Sequence, residues 1–248
     1  MDLDTKTYIA PKECVDVTDR FLCYGVHGLS DNIQYSIRSK SGTLPKELKS
    51  LIPMKRILLA VPSYQPTVLI QCIQSLYNIE IPPNTQLDIE YITGYGAAQA
   101  RNKAVNKAID GKYDYILFCD ADQIIPTDAL HKLMWYDVDF AAGWSMMCVG
   151  DNRSNISKFD DKRLFYDFYL ENEVPKETFA ADAVGFAIVL MKTSLFTKLD
   201  YPYFKYIEYG NKTILSEDLF FCDVLRCKGI PMVIDTSVKC GHVKSITI

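Results

Sequence analysis

The chain has 248 residues, 48% of them hydrophobic and 23% charged. That is ordinary globular usage, and it excludes a disordered chain, a collagen-like repeat and a small disulfide scaffold. Lys plus Arg number 27 against 31 Asp plus Glu, a formal charge of −4, so no global field favours extended binding to DNA or RNA. The length suits one α/β domain. No apolar run approaches bilayer length, and the opening Met1-Asp2-Leu3-Asp4 is acidic without an apolar core, so a signal peptide is not expected. Eight cysteines without a CxxC pair are expected to be reduced and buried, and the expected location is cytoplasmic. In that setting the sequons at Asn152, Asn155 and Asn211 are chance matches.

Residues 1–55 carry weak periodicity and are expected to form an N-terminal extension packed on a main domain of 56–248. The continuous apolar run 56–62 predicts a buried parallel strand, followed by a helix over 67–77. Residues 87–92 alternate as a strand, 93–96 form a glycine turn and 97–109 a helix. A strand over 113–119, a helix opened by Pro126-Thr127-Asp128 and a short strand over 140–143 follow. Residues 150–180 read as a long loop or a pair of short strands. The second half adds a strand over 183–191, a helix over 216–228 and a strand over 231–234. Strands alternating with helices imply βαβ units and a mostly parallel sheet flanked by helices, the α/β class.

Ligands of such sheets sit beyond the carboxyl ends of the strands, which directs attention to Pro62-Ser63-Tyr64 and to Asp120-Ala-Asp122. Two carboxylates one residue apart on an extended segment point roughly the same way. They can meet a hard cation, Mg²⁺ or Mn²⁺, that bridges nucleotide phosphates; equally, they suit a turn or helix cap. Glu217 and Asp218 open a helix, where the macrodipole favours carboxylates whatever their role. His242, one of three histidines, follows a short apolar strand and a turn. Gly185 suits a close approach of two backbones.

In order along the chain, these residues resemble the GT-A fold glycosyltransferases, in particular the broad family-two-like group that uses nucleotide-sugar donors. The resemblance rests on Ile57-Leu-Leu-Ala-Val-Pro-Ser-Tyr64, Ala100-Arg101-Asn102, the DxD Asp120-Ala-Asp122, Ala183-Val-Gly185, the xED Ser216-Glu-Asp218 and His242. It covers residue 55 to the end and implies a GT-A (Rossmann-like) sheet. It implies Asp122 and His242 as metal ligands, with Asp120 on the ribose or on the metal through water. It implies Pro62, Ser63 and Tyr64 around the nucleobase, and Arg101 either on the pyrophosphate or positioning the DxD strand. Asp218 matches the base of inverting members and Glu217 its neighbour in the acceptor site. Gly185 belongs to the sugar and acceptor region.

The aromatic residues Trp144 and Tyr209, with Tyr201, Tyr203, Phe204 and Tyr206, are placed to stack on a sugar or acceptor, or equally to be core. Lys228, Lys239 and Lys244 lie near the expected site. The resulting expectation is a manganese- or magnesium-dependent glycosyltransferase with a nucleotide-sugar donor, UDP-linked by family frequency. A glycan, a protein, a lipid-linked sugar or a modified DNA base would each supply an acceptor hydroxyl. Two alternatives stand beside it. A sugar nucleotidyltransferase would carry a glycine-rich basic loop after its first strand, which Pro62-Ser-Tyr-Gln-Pro66 is not. A non-catalytic nucleotide- or glycan-binding module would keep the fold without turnover.

Overall fold

The computed structural model describes residues 54–65, 67–147, 152–210 and 212–243, together with two short backbone strands further upstream. The chain divides into two units, Met1–Met54 and Lys55–Ile248. In the first, strands β1 (Phe21–Leu22) and β2 (Ile37–Arg38) pair antiparallel. The rest of the expected extension lies outside the described residues, as do Cys14, Cys23, Cys148, Asn211 and Lys244.

The second unit runs β3 (Lys55–Ser63), α1 (Ile70–Tyr77), β4 (Thr85–Thr93), α2 (Ala97–Asp110), β5 (Tyr115–Cys119) and β6 (Gln123–Ile124). It continues through α3 (Ala129–Trp135), β7 (Phe140–Ser145), β8 (Arg153–Asp160), β9 (Phe165–Leu170) and β10 (Phe179–Ala181). The last elements are β11 (Ala183–Val184), β12 (Ile188–Lys192), β13 (Ile207–Tyr209), β14 (Lys212–Leu215), α4 (Glu217–Cys227) and β15 (Met232–His242). The central sheet has the order β10-β15-β7-β12-β5-β3-β4, with β6 paired to the end of β15. β3 is parallel to β4 and β5, and β15 is parallel to β7. β12 runs antiparallel to both its neighbours, and β10 is antiparallel to β15. This is the expected α/β class, a mixed sheet with mostly parallel central strands flanked by helices.

Both faces of the sheet are buried, because the apolar run of β3 divides by parity. Ile57, Leu59 and Val61 join one core layer with Leu76 of α1 and Leu130 and Leu133 of α3. Leu58 and Ala60 join the other, with the small residues Ala100, Ala104 and Ala108 of α2 and with Phe221 and Leu225 of α4. A strand covered on both sides needs apolar residues at successive positions, which is what its sequence supplies. Gly143 is a packing requirement on β7: a Cβ there would lie 2.5 Å from Val238 and 2.7 Å from Ile188. Among the described residues no helix is long and apolar enough to cross a membrane.

Three segments differ from expectation. Residues 150–180 hold long strands, β8 and β9, in a separate three-stranded sheet with β11. The single strand expected over 183–191 is broken at Gly185: β11 pairs with β8, whereas β12 enters the central sheet. The last strand is far longer than 231–234. Its register shifts between Ile234 and Lys239, where the Asp235 carboxylate accepts hydrogen bonds from the Ser237 N–H (2.9 Å) and hydroxyl (2.7 Å). That polar turn interrupts the apolar pattern, yet the strand resumes and ends at His242.

Candidate active site

β3, β5, β7 and β15 all finish on one side of the sheet. Ser63, Cys119 and Ser145 end the first three, and Cys240 of β15 lies in register with Ser145. Asp120 follows β5 directly. Ala121 and Asp122 turn back, with the Gln123 N–H donating to the Asp120 carbonyl at 3.2 Å. The two-residue β6 then pairs with Gly241 and His242, so a short antiparallel ladder delivers the histidine to the DxD turn.

His242 Nε2 lies 3.1 Å from Asp122 Oδ2, and its Nδ1 lies 2.8 Å from the Met146 carbonyl. A carbonyl can only accept, so Nδ1 carries a proton, and in the neutral ring Nε2 turns a lone pair toward the carboxylate. A lone pair and a carboxylate oxygen facing each other at this distance suit a shared cation. An imidazole tethered through its other nitrogen to a backbone carbonyl is the usual support for a metal ligand. The other oxygen, Asp122 Oδ1, accepts from the Gln123 amide at 3.1 Å. Gln123 is buried, and its own Oε1 has no protein partner.

The donor set therefore fits a hard divalent cation, but it is a pair. Among the described residues no group of three His, Cys, Asp or Glu side chains converges, so phosphate or water would complete the coordination. In the metal-free protein, burial first, with nearby carboxylates, raises the Cys72 and Cys119 thiols and holds Cys240 at about 12.

Arg101 is 3% exposed. One of its terminal nitrogens donates to Asp120 Oδ1 at 2.7 Å, the other is ion-paired with the buried Glu217, and its guanidinium lies 4.7 Å over the Phe186 ring. Burial opposes this charge, but Asp120, Glu217 and Asp218 outweigh it and hold Arg101 above its ordinary range. Of its two expected roles, this geometry matches the positioning of the DxD strand, with both terminal nitrogens engaged by carboxylates and Nε without a partner among the described residues. Asp120 responds in kind. Burial raises its carboxyl to about 6, Arg101 pulls against that, and Asp122 and Asp218 push further up. Glu217, expected beside the base in the acceptor site, is buried in an ion pair with Arg101, and the Tyr206 hydroxyl stands near it.

Asp218 is half-buried at the start of α4. Its Oδ1 accepts from the Ser216 hydroxyl and from the Leu219 N–H. Its Oδ2 faces Gly185, where an added Cβ would stand 3.5 Å away. Asn155 frames this gap. Its amide donates to the Gly185 carbonyl at 3.0 Å, its Oδ1 accepts from the Ser145 N–H at 2.9 Å, and its backbone carbonyl accepts from the Gly185 N–H at 2.8 Å. Asn102 does a similar task next to Arg101, holding Tyr203 and Phe204 by their backbone groups.

The other expected residues are distributed unevenly. Pro62 and Ser63 are buried at the end of β3, the Ser63 hydroxyl donating to the Gln65 carbonyl, whereas Tyr64 is 72% exposed beside them. Trp144 is a core side chain, not an open stacking face: it is 6% exposed, donates to the Thr236 carbonyl and has the Lys239 ammonium over its ring. Tyr209 stands on the β13–β14 hairpin, 81% exposed, with no contact to the DxD turn. Lys239 is paired with Glu171, and Lys228 caps the far end of α4. Asn102, Gln123, Asn155 and Tyr206 join the site without having been singled out for it. Only Asn102, inside Ala100-Arg101-Asn102, and Tyr206, inside the aromatic cluster, carried any sequence signal.

No family model and no curated protein matches the chain in sequence. Solved structures match it in shape. A197 from STIV superposes with a TM-score of 0.54 at 17% identity, covering 77% of this chain and 86% of that one. Residues 1–349 of S. aureus TarS superpose with a TM-score of 0.47 at 14% identity, covering 75% of this chain and 59% of that one. At these identities the likeness concerns the fold alone.

Proposed function

We propose that the protein is a metal-dependent glycosyltransferase that moves a sugar from a nucleotide-sugar donor, UDP-linked, to an acceptor hydroxyl with inversion. The observation that carries this reading is the Asp122–His242 pair, 3.1 Å apart with the imidazole tethered through Nδ1, on a glycosyltransferase-like fold. The UDP preference rests on the family resemblance and on no residue.

Asp122 Oδ2 and His242 Nε2 would hold Mn²⁺ or Mg²⁺ against the donor's diphosphate. When bound there, the ion supplies positive charge to offset the charge that develops on the departing nucleoside diphosphate. Arg101 fixes Asp120 at the root of the DxD turn and, through Glu217, joins that turn to α4. Asp218 is the base. With Oδ1 occupied by Ser216 and Leu219, Oδ2 is the oxygen left to accept the acceptor's proton. The acceptor oxygen bonds to the anomeric carbon as that carbon's bond to the diphosphate breaks, and the proton passes to Oδ2. Asp218 stands in the first turn of α4, where the helix macrodipole favours a carboxylate. Among the described residues Asp218 Oδ2 accepts no hydrogen bond, which supports the base reading over a non-catalytic module, where a cap or salt bridge could take up both oxygens.

The test is a thermal-shift series of nucleotides and nucleotide sugars, with and without Mn²⁺, on wild type and Asp122→Asn. A ligand at a hundred times its dissociation constant stabilises the native state by about 2.7 kcal/mol. The expected result is an Mn²⁺-dependent shift with one nucleotide sugar that Asp122→Asn loses. No shift with any nucleotide under either condition overturns the proposal.

A further inference from the structure

Beside the Arg101–Glu217 pair a groove of about 550 Å³ opens between α2 and the 201–206 turn. Its floor is rigid: Asn102 uses both ends of its amide on the backbone at Ala98, Tyr203 and Phe204, and Phe204 stacks on Phe221 at 4.5 Å. Its α2 wall presents Gln99, Lys103 and Asn106, and its other wall Tyr201, Lys205 and Tyr206. A second groove of about 610 Å³ shares Lys103 and Asn106 and continues along α2 to Tyr113. Together they follow a 14-residue helix, about 20 Å long.

The chemistry of the first groove is specific. No Asp or Glu lines it, although the chain carries a net charge of −4. Lys103 and Lys205 make no ion pair among the described residues; each rests over an aromatic ring, Tyr95 at 4.5 Å and Phe220 at 4.7 Å. The Gln99 and Asn106 amides have no hydrogen-bond partner among the described residues. Two exposed tyrosine rings complete the wall. Free amides answer hydroxyl groups, ring faces answer the apolar C–H faces of sugars, and unpaired ammonium groups answer an anion. The groove also borders the chemistry, because Tyr206 in its wall lies within electrostatic reach of Glu217 and Asp218.

We infer that this groove is the acceptor subsite and that it takes an oligosaccharide bearing an anionic group, a phosphate or a carboxylate, held by Lys103 and Lys205. The inference rests on the transferase reading and adds the class of acceptor to it. Two adjoining grooves along α2, the second also lined by Asp110, suit a linear chain better than a single sugar, with the anionic group seated in the first. A nucleic acid fits less well, since strong binding commonly enlists six to ten phosphate contacts, roughly, and only two free ammonium groups are present here.

The experiment is isothermal titration calorimetry on the full chain, wild type and Lys103→Gln/Lys205→Gln. The probes are a galacturonate hexamer, maltohexaose 6-phosphate, neutral maltohexaose and a single-stranded dodecathymidylate. The melting temperature of the double variant checks its folding: a fall of at most a few degrees is expected, because neither lysine makes an ion pair among the described residues and only its ring contact is lost. The inference expects one or both acidic oligosaccharides to bind, maltohexaose to bind more weakly, and the double variant to lose about tenfold in affinity, the effect of two exposed charge-assisted contacts. The uronate and phosphate arms identify the anion.

Equal binding by wild type and double variant, equal binding of neutral and acidic hexamers, tighter binding of the dodecathymidylate, or no binding of any acidic hexamer overturns it. The Mn²⁺-dependent nucleotide shift of wild type separates the two readings. A shift with a silent groove removes only the acceptor inference. Lysine-dependent glycan binding without any nucleotide shift removes the transferase role and leaves a glycan-binding groove.

Discussion

Arg101 and Glu217 form a buried ion pair between α2 and α4, 116 residues apart in the chain. The same guanidinium holds Asp120, so the DxD turn and the first turn of α4 keep their spacing through one side chain. Replacing it leaves two carboxylates without their counter-charge in a pocket walled by Phe186. Arg101→Met is expected to cost about 3–5 kcal/mol, as removal of one partner from a buried pair does. Arg101→Lys recovers little of this, because an ammonium cannot serve both carboxylates in the planar fork geometry. Urea unfolding of the three proteins checks both statements; a loss under 1 kcal/mol, roughly, for the Met variant would contradict the bracket.

Asp122→Asn and His242→Ala are each expected to weaken Mn²⁺ binding in the presence of a nucleoside diphosphate by about a hundredfold, since a two-ligand protein site has no spare donor. Electron paramagnetic resonance of free Mn²⁺ reads this directly. The imidazole must be neutral to coordinate, so acidification weakens the same titration. If either variant bound Mn²⁺ like wild type, that residue would not be a ligand.

The elevated Asp120 pKa gives a pH dependence of defined sign in the metal-free protein. The native carboxyl holds its proton to about 6, well above its unfolded value, so its contribution to stability is complete below about pH 4 and is lost as the pH rises through about 6. Its side chain is one-third exposed, so after allowance for solvent screening the loss is about 1–2 kcal/mol. Comparing urea unfolding of wild type and Asp120→Asn from about pH 4 to pH 7 isolates it: the wild type should decline relative to the variant. A difference that stayed flat would show that the carboxyl titrates normally.

Gly185 and Asn155 separate steric from structural effects. A methyl group at residue 185 would sit 3.2 Å from Asn155 and 3.5 Å from Asp218 Oδ2. Gly185→Ala is therefore expected to leave nucleotide binding intact and to lower turnover, by crowding the oxygen that must receive the proton. Asn155→Ala strands the buried Ser145 N–H and should destabilise the fold by about 1–3 kcal/mol. Turnover and chemical denaturation on the pair would show whether the effects divide in this way.

Local patterns carried much of this architecture into the sequence. The unbroken apolar run of β3 announced a strand buried in a parallel sheet, and the alternation of strands with helices announced the α/β class. Gly185 was legible as a close approach, but not as the break that sends β11 and β12 into different sheets. The end of β15 was hidden because Asp235, Thr236 and Ser237 interrupt its apolar alternation: the Asp235 carboxylate takes up the Ser237 N–H and hydroxyl, and the Thr236 hydroxyl donates to the Lys176 carbonyl. Asn102, Gln123 and Asn155 act through amides bonded to groups up to 102 residues away, and no spacing rule signals that. Glu217 and Asp218 look alike at a helix start. Only the three-dimensional position of Arg101 tells the structural carboxylate from the one facing open space.

The polar turn at Asp235–Ser237 also works as a ruler. Side chains of a strand alternate sides, and the shift between Ile234 and Lys239 decides which parity the remainder of β15 adopts. Lengthening or shortening that turn by one residue would leave β10 and the first half of β15 paired as before. At the tip it would bring Gly241 or Val243 opposite Gln123 and swing the imidazole away from Asp122. The spacing of the Asp122–His242 pair is thus written in residue count several positions upstream, where an insertion or deletion would at once displace Val238 and Cys240 from the core and silence the site.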